Sequence, residues 1–276
     1  NIVGSLWQSG SDLLLGVLNF FYGISHSYGV AIILLTLLVR VLLYPLSHKQ
    51  LVSMKKMQQI QPRLKTLQEK YKDDKQKLNQ EVMKLYREYG VNPAAGCLPL
   101  LVQLPILILL FKVIMNYDFG EEFFLGISLK HSLLSLMSQA LGVATAKAGV
   151  MTVLSGIISN PGGLLDFGLY GGTLILWLLI GFVTWFQQKI TTTGAASEQM
   201  AFMGWFMPLF MMFICLSLPG GVLLYWGVSS LIGVIQQVWV QRRTSVEIAQ
   251  KPVLYKDKPR SADKSNRESE EVSKDV

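Results

Sequence analysis

The sequence predicts an all-α membrane protein whose five transmembrane helices form a groove, with a cytoplasmic helical hairpin and an outer amphipathic helix. Hydrophobic residues make up 51% of the 276-residue chain, whereas soluble domains of this length are rarely so apolar. The charge is uneven, since long segments carry almost none and two blocks carry most of it. Five segments approach the length of about 20 apolar residues that a bilayer core requires.

The first element is an outer-surface amphipathic helix, assigned to residues 1–27. Four apolar residues before the first span share one helical face: Leu14, Val17, Leu18 and Phe21. Such a stripe is typical of a helix lying on a membrane surface, and a simple juxtamembrane linker is the alternative. Residues 1–12 contain neither a basic region nor a small-residue cleavage site, so we expect no intact signal peptide.

The spans and their connections follow in order. The five predicted spans are 28–47, 97–116, 171–190, 200–218 and 221–241. The connections are a cytoplasmic hairpin at 48–96, an extracytoplasmic segment at 117–170, a short cytoplasmic loop at 191–199 and a disordered cytoplasmic tail at 242–276. Only Pro219 and Gly220 separate the last two spans, which predicts a tight antiparallel pair.

The distribution of Lys and Arg predicts the orientation. The 48–96 segment contains eleven of these residues, whereas 117–170 contains only Lys130 and Lys147. Arg242 follows the fifth span directly. We therefore expect a multi-pass protein with its N-terminus outside and its C-terminus in the cytoplasm.

Two connections are predicted to be structured. Two apolar stripes in the 48–96 segment can face each other in a helical hairpin that turns near Lys72–Asp74; a solvated connector held near anionic headgroups is the alternative. The stripes are Met54, Met57, Ile60, Leu64 and Leu67, and Leu78, Val82, Leu85 and Tyr86. Outside, residues 132–159 are only moderately apolar and contain Lys147, so we expect one or two interfacial or re-entrant helices there instead of a sixth span.

One arginine, Arg40, lies inside the first span, while no predicted span contains Asp or Glu. Thr36, Arg40 and Tyr44 share one helix face because they are four residues apart. An unpaired buried cation is costly, so we expect Arg40 to face a water-filled recess or an arriving acidic segment. Snorkelling to the cytoplasmic headgroups is the alternative.

Amide and hydroxyl side chains in other spans can line such a recess: Gln103, Gln187, Gln188, Tyr225, Ser229 and Ser230. Each alone is also compatible with an interhelical hydrogen bond. The lack of intramembrane carboxylates disfavours an ion-driven transporter. No nucleotide, zinc-protease or nucleophile motif is present, and Cys97 and Cys215 suit apolar packing. We therefore expect no enzyme, catalytic residue, cofactor or metal.

Four stretches carry a resemblance to a known family: LLVRVLLYPL with the following KQ, GVNPAAGCLPLLVQLPI, TWFQQK, and FMPLFMMFICLSLPGGVLLYWGVSSLIGVIQQ. Through them the chain resembles the YidC family of membrane protein insertases, in the Gram-positive form without a large external domain. The resemblance covers about residues 5–243 and implies a bacterial plasma-membrane protein with a hydrophilic groove open to the cytoplasm and the lipid. In this chain, segment 126–168 is longer than the short loop that is usual in the family.

The implied function is to insert newly made integral membrane proteins and help them fold, alone or beside the Sec translocon. An arginine in the family's first helix attracts the substrate's extracellular tail, and it corresponds to Arg40. The predicted groove residues are Arg40, Thr36, Gln103, Gln187, Gln188, Tyr225 and Trp226.

The implied partners are nascent membrane proteins and the lipid bilayer. The hairpin and tail make the Sec translocon, the ribosome and the signal recognition particle pathway candidate partners, with no specific nucleic acid. The alternatives are a small-solute channel or transporter, which needs a pathway open on both faces, and a structural scaffold of an envelope or sporulation complex, which needs segment 126–168 more than the groove.

Overall fold

The computed structural model describes residues 2–90, 98–116, 123–143, 148–191 and 198–249. Almost all regular structure in these ranges is helical, which confirms the all-α membrane class. The helices are α1 (Ile2–Ser25), α2 (Tyr28–Leu42), α3 (Tyr44–Lys70), α4 (Lys75–Glu88), α5 (Leu98–Asn116), α6 (Leu133–Ala140), α7 (Val150–Ser159), α8 (Phe167–Thr191), α9 (Glu198–Cys215) and α10 (Gly220–Ala249). Two short strands, β1 (Phe123–Phe124) and β2 (Ile127–Ser128), and a 3₁₀ helix, Pro161–Leu165, complete the described elements.

Two described helices are long and apolar enough to cross a membrane, over Phe167–Ile190 and Gly220–Arg243. The pair α2 and α3 forms a third candidate that is bent by 64°. The other two predicted spans coincide with α5 and α9. The count of five therefore stays a prediction.

The bend interrupts the first predicted span at Leu43, whereas the sequence suggested a continuous helix to residue 47. Pro45 is the physical cause, because proline lacks an N–H and its ring clashes with the carbonyl group four residues earlier. The backbone continues through the bend, where Leu43 N donates to Val39 O at 2.9 Å and Ser47 N donates to Leu43 O at 2.9 Å. As a result, the axis of α3 runs in a different direction from that of α2, and the change occurs close to Arg40.

The apolar core joins α1, α2, α5 and α10. Leu18, Ile32, Ile114 and Val222 are completely buried in it, and Leu14, Val17 and Phe21 pack against it, as the predicted stripe of the first helix requires. A second cluster of Ile180, Cys215 and Leu223 joins α8, α9 and α10. In contrast, large apolar side chains on the opposite side of α8, such as Phe182, are exposed as lipid-facing residues are.

The hairpin consists of α3 and α4. Ile60 and Leu64 of α3 bury themselves against Leu85 of α4, so the two predicted stripes do meet. Asp74 caps α4 by accepting a hydrogen bond from Lys77 N at 3.0 Å. The predictions for loop 191–199 and tail 242–276 fall largely on residues 192–197 and 250–276, which lie outside the described residues.

The segment between α5 and α8 folds onto the turn between α9 and α10. The strands pair antiparallel through Phe123–Ser128 and Phe124–Ile127. Gly220 N donates to His131 O at 3.1 Å, and Gly221 N donates to Leu129 O at 2.9 Å. Two short helices, α6 and α7, occupy the stretch for which one or two helices were expected.

Candidate functional site

A cavity of about 440 Å³ with a partly polar lining lies among helices α2, α3, α5, α8, α9 and α10. Amides, hydroxyls and one cation supply its polar lining. These residues are Arg40, Ser47, Gln50, Gln103, Thr184, Gln187, Gln188, Tyr225, Ser229, Ser230, Gln236 and Gln237. No Asp or Glu lines the cavity in the part of the chain that the structure describes. The cavity can therefore hold water or an anionic group between spanning helices.

Six of the seven predicted groove residues line this cavity. They are Arg40, Gln103, Gln187, Gln188, Tyr225 and Trp226. The seventh, Thr36, is completely buried in α2, one turn before Arg40. Its hydroxyl donates to Ile32 O at 2.7 Å, so its hydrogen bond stays within its own helix.

Two hydrogen bonds connect α10 to α5 and to α2 across the cavity wall. Gln103 Nε2 of α5 donates to the Tyr225 hydroxyl at 3.1 Å. Ser229 lies one turn after Tyr225 on α10. Arg40 Nε of α2 then donates to Ser229 Oγ at 2.8 Å. The bond to Ser229 fixes the guanidinium of Arg40 at its Nε, because one of its donors is committed there.

The terminal nitrogens of Arg40 lie beside a position without a side chain. A Cβ placed on Gly233 of α10 would lie 3.6 Å from Arg40 Nη2, 3.8 Å from Nη1 and 3.7 Å from the Gln187 amide nitrogen. The ion pair of Lys84 and Glu81 lies far along the chain from Arg40. The guanidinium is thus a positive group in a cavity without a countercharge from the described chain.

The sequence reasoning missed several cavity residues, among them Gln50, Gly233 and Gln237. Gln50 and Gln237 are buried polar side chains, 7% and 4% exposed. The spacing on α10 could have revealed two of them, because Tyr225, Ser229, Gly233 and Gln237 recur every fourth residue and share a helix face. Gln50 could not be found in this way, since it reaches the cavity through the bend at Leu43.

The start of α3 forms one wall of the cavity with Ser47, Gln50, Leu51 and Met54. The next turn is attached to the ends of two spanning helices. Gln58 Nε2 donates to Ile190 O of α8 at 3.3 Å, and Lys55 Nζ donates to Gln241 O of α10. Ile190 belongs to the last turn of α8, whose carbonyl groups lack intrahelical partners, whereas Gln241 lies inside α10, eight residues before its end.

Comparisons with known proteins agree with this architecture. Residues 20–247 match the family model described as 60Kd inner membrane protein. A membrane protein insertase YidC from Syntrophobacter fumaroxidans is 37% identical over 229 residues, covering 83% of this chain and 37% of the relative. The YidC of Bradyrhizobium diazoefficiens is 33% identical over 231 residues, covering 84% and 36%.

A solved structure is also similar. The crystal structure of an active YidC insertase with the first transmembrane domain resolved has a TM-score of 0.56 and 27% sequence identity, covering 82% of this chain and 45% of that one. The chain thus spans less than half the length of these relatives. With the matched region extending over most of this sequence, the chain belongs to the 60Kd inner membrane protein family, which includes the YidC membrane protein insertases.

Proposed function

We propose that this chain inserts newly made integral membrane proteins into the bacterial plasma membrane and helps them fold. The family match and the names of the relatives support this function. The observation that carries the proposal is the placement of Arg40 in a polar cavity to which the described chain contributes no carboxylate. The comparisons favour neither a solute channel nor a structural scaffold.

In the proposed mechanism, Arg40 receives the hydrophilic, often acidic, extracellular tail of a substrate. The amides and hydroxyls around it keep the cavity hydrated, and they accept hydrogen bonds from the tail or donate hydrogen bonds to it. They include Gln103, Gln187 and Gln188. The hydrocarbon layer that the tail must cross becomes thinner. Burial of the substrate's apolar helix in lipid supplies the driving force, and the membrane potential assists acidic tails. The process is physical and requires no catalytic group of this chain.

The proposed orientation places the N-terminus outside and the hairpin α3–α4 in the cytoplasm, in accord with the distribution of Lys and Arg. The hairpin is then positioned to meet ribosomes, the signal recognition particle pathway and the Sec translocon. The two hydrogen bonds of Lys55 and Gln58 keep its base at the cavity.

The test is insertion by the purified chain in proteoliposomes. A short single-span substrate with an acidic tail should become protease-protected, and the same substrate with its tail acids neutralised should insert less well. Entrapped fluorescent solute should stay inside the vesicles. Solute leakage without substrate protection would instead establish a channel.

Filling the space beside Arg40 should impair insertion. Gly233→Leu places a branched side chain against the guanidinium and the Gln187 amide, and we expect insertion to fall by about tenfold, equivalent to about 1.4 kcal/mol. Gly233→Ala is the matched control, because its Cβ would make only ordinary contacts from 3.6 Å outward. Equal initial rates for both variants in the proteoliposome assay would show that the space beside Arg40 is not used.

A further inference from the structure

Helix α7 presents an apolar stripe that no described part of the protein covers. Met151 and Ile158 are 80% and 84% exposed, and Leu154 lies between them and is also exposed. With about 3.6 residues per turn, the three side chains fall within about one-sixth of the helix circumference. Exposed apolar side chains are common singly, but an aligned set of them indicates a binding surface.

The opposite face of α7 is fixed against the protein. Val153 is 6% exposed and packs in a cluster with Leu134 and Leu141. A Cβ on Gly156 would lie 2.9 Å from Leu141 Cβ, so α7 approaches its neighbour closely. The helix therefore cannot rotate to bury its stripe, because doing so would expose the packed face.

Helix α7 and the following 3₁₀ helix also carry no charge, since residues 148–165 contain no Asp, Glu, Lys or Arg. Apart from Thr152 and the exposed Ser155 and Ser159, which border the stripe, α7 is apolar on both faces, and such a helix is normally covered on both. Protein covers one face of α7, and the other requires a partner that is itself uncharged and apolar.

Exposed apolar residues continue along the chain from α7 into a spanning helix. Leu165 at the end of the 3₁₀ helix is 79% exposed, and Phe167 at the start of α8 is exposed as well. Further along α8, Ile175, Leu178 and Phe182 are exposed on the surface that meets the bilayer. These exposures indicate that the partner of the stripe is the same lipid that covers α8.

We propose that α7 lies in the outer leaflet of the membrane, with Met151, Leu154 and Ile158 inserted about 5–10 Å into the headgroup and acyl boundary. The assignment to the outer leaflet depends on the proposed orientation, whereas contact with lipid does not. In this position α7 anchors the outer segment to the bilayer at a second point besides α8.

The test is spin-label accessibility in lipid nanodiscs. Labels are placed singly through Met151→Cys and Ile158→Cys in a chain in which Cys97 and Cys215 are replaced. Leu178→Cys on α8 is the lipid reference, and Gln139→Cys, at an exposed polar position of α6, is the aqueous reference. We expect the labels at 151 and 158 to collide more with oxygen than with a water-soluble nickel complex, as at 178, and the label at 139 to show the reverse.

Two results would overturn the proposal. Nickel accessibility at 151 and 158 equal to that at 139 would place the stripe in water. Immobile labels shielded from both reagents would instead indicate a protein partner. Photolabelling of the unaltered chain is an independent measurement. A phospholipid with a photoreactive acyl chain should label residues 150–165. Absence of label there, with label present on α8, would contradict the proposal. Neither readout depends on insertase activity.

Discussion

Arg40→Glu should abolish insertion, and Arg40→Ala should lower it by at least about tenfold, or about 1.4 kcal/mol in the rate-limiting barrier. The glutamate would repel an acidic substrate tail in a cavity that has no other cation among its described lining residues. Arg40→Lys should retain most activity, because the charge persists although the hydrogen bond geometry to Ser229 changes. The measurement is growth of an insertase-depleted bacterium that carries each variant.

Two controls keep this result interpretable. Lys112→Gln removes an exposed cation of α5 outside the cavity and should support growth as the parent does. Membrane levels of every variant are compared by immunoblot, since a degraded protein cannot rescue. Equal growth with Arg40→Ala, Arg40→Glu and the parent would show that Arg40 only snorkels to the headgroups, and the role of receptor would be withdrawn.

Gly172→Ala should destabilise the protein by about 1–3 kcal/mol. A Cβ at this position would lie 2.2 Å from the carbonyl oxygen of Gly126, and this neighbour is backbone that cannot turn aside. The substitution must push the β1–β2 turn away from α8. Thermal unfolding in detergent, followed by circular dichroism, should show a lower midpoint.

The adjacent glycine is the matched control for this prediction. Gly171→Ala places its Cβ 3.6 Å from Phe167 Cβ, an ordinary contact. Alanine is favoured over glycine inside a helix by about 1 kcal/mol, so Gly171→Ala should leave the midpoint unchanged or raise it. Parallel shifts in both variants would mean that helix propensity, and not the close approach to Gly126, decides the stability of this region.

Much of the fold follows from local patterns, because helices in lipid satisfy their backbone hydrogen bonds internally. The apolar runs predict where α5, α8, α9 and α10 lie, and the paired stripes predict the hairpin. The bend at Leu43 could have been predicted, because Pro45 is visible in the sequence, but the angle of the bend depends on how α3 packs. The contacts of the segment between α5 and α8 with the α9–α10 turn were not predictable, because they are backbone hydrogen bonds between distant parts of the chain.

The candidate site divides in the same way. Arg40 stands out in the sequence because charge is rare in a spanning helix, and six of the seven predicted residues line one cavity. What the sequence could not provide is the choice of partner. The Ser229 hydroxyl accepts the hydrogen bond from Arg40. The Thr36 hydroxyl donates within its own helix instead, although Thr36 lies on the same helix face as Arg40.

The bend at Leu43 affects how truncation experiments should be interpreted. Because α3 contributes both a cavity wall, through Ser47, Gln50, Leu51 and Met54, and one arm of the hairpin, a deletion that begins near residue 50 opens the cavity as well as removing the surface of the hairpin. Loss of function from such a deletion would therefore not identify a lost binding partner. Cuts confined to the tip, around Tyr71–Asp74, leave the wall in place and separate the two roles.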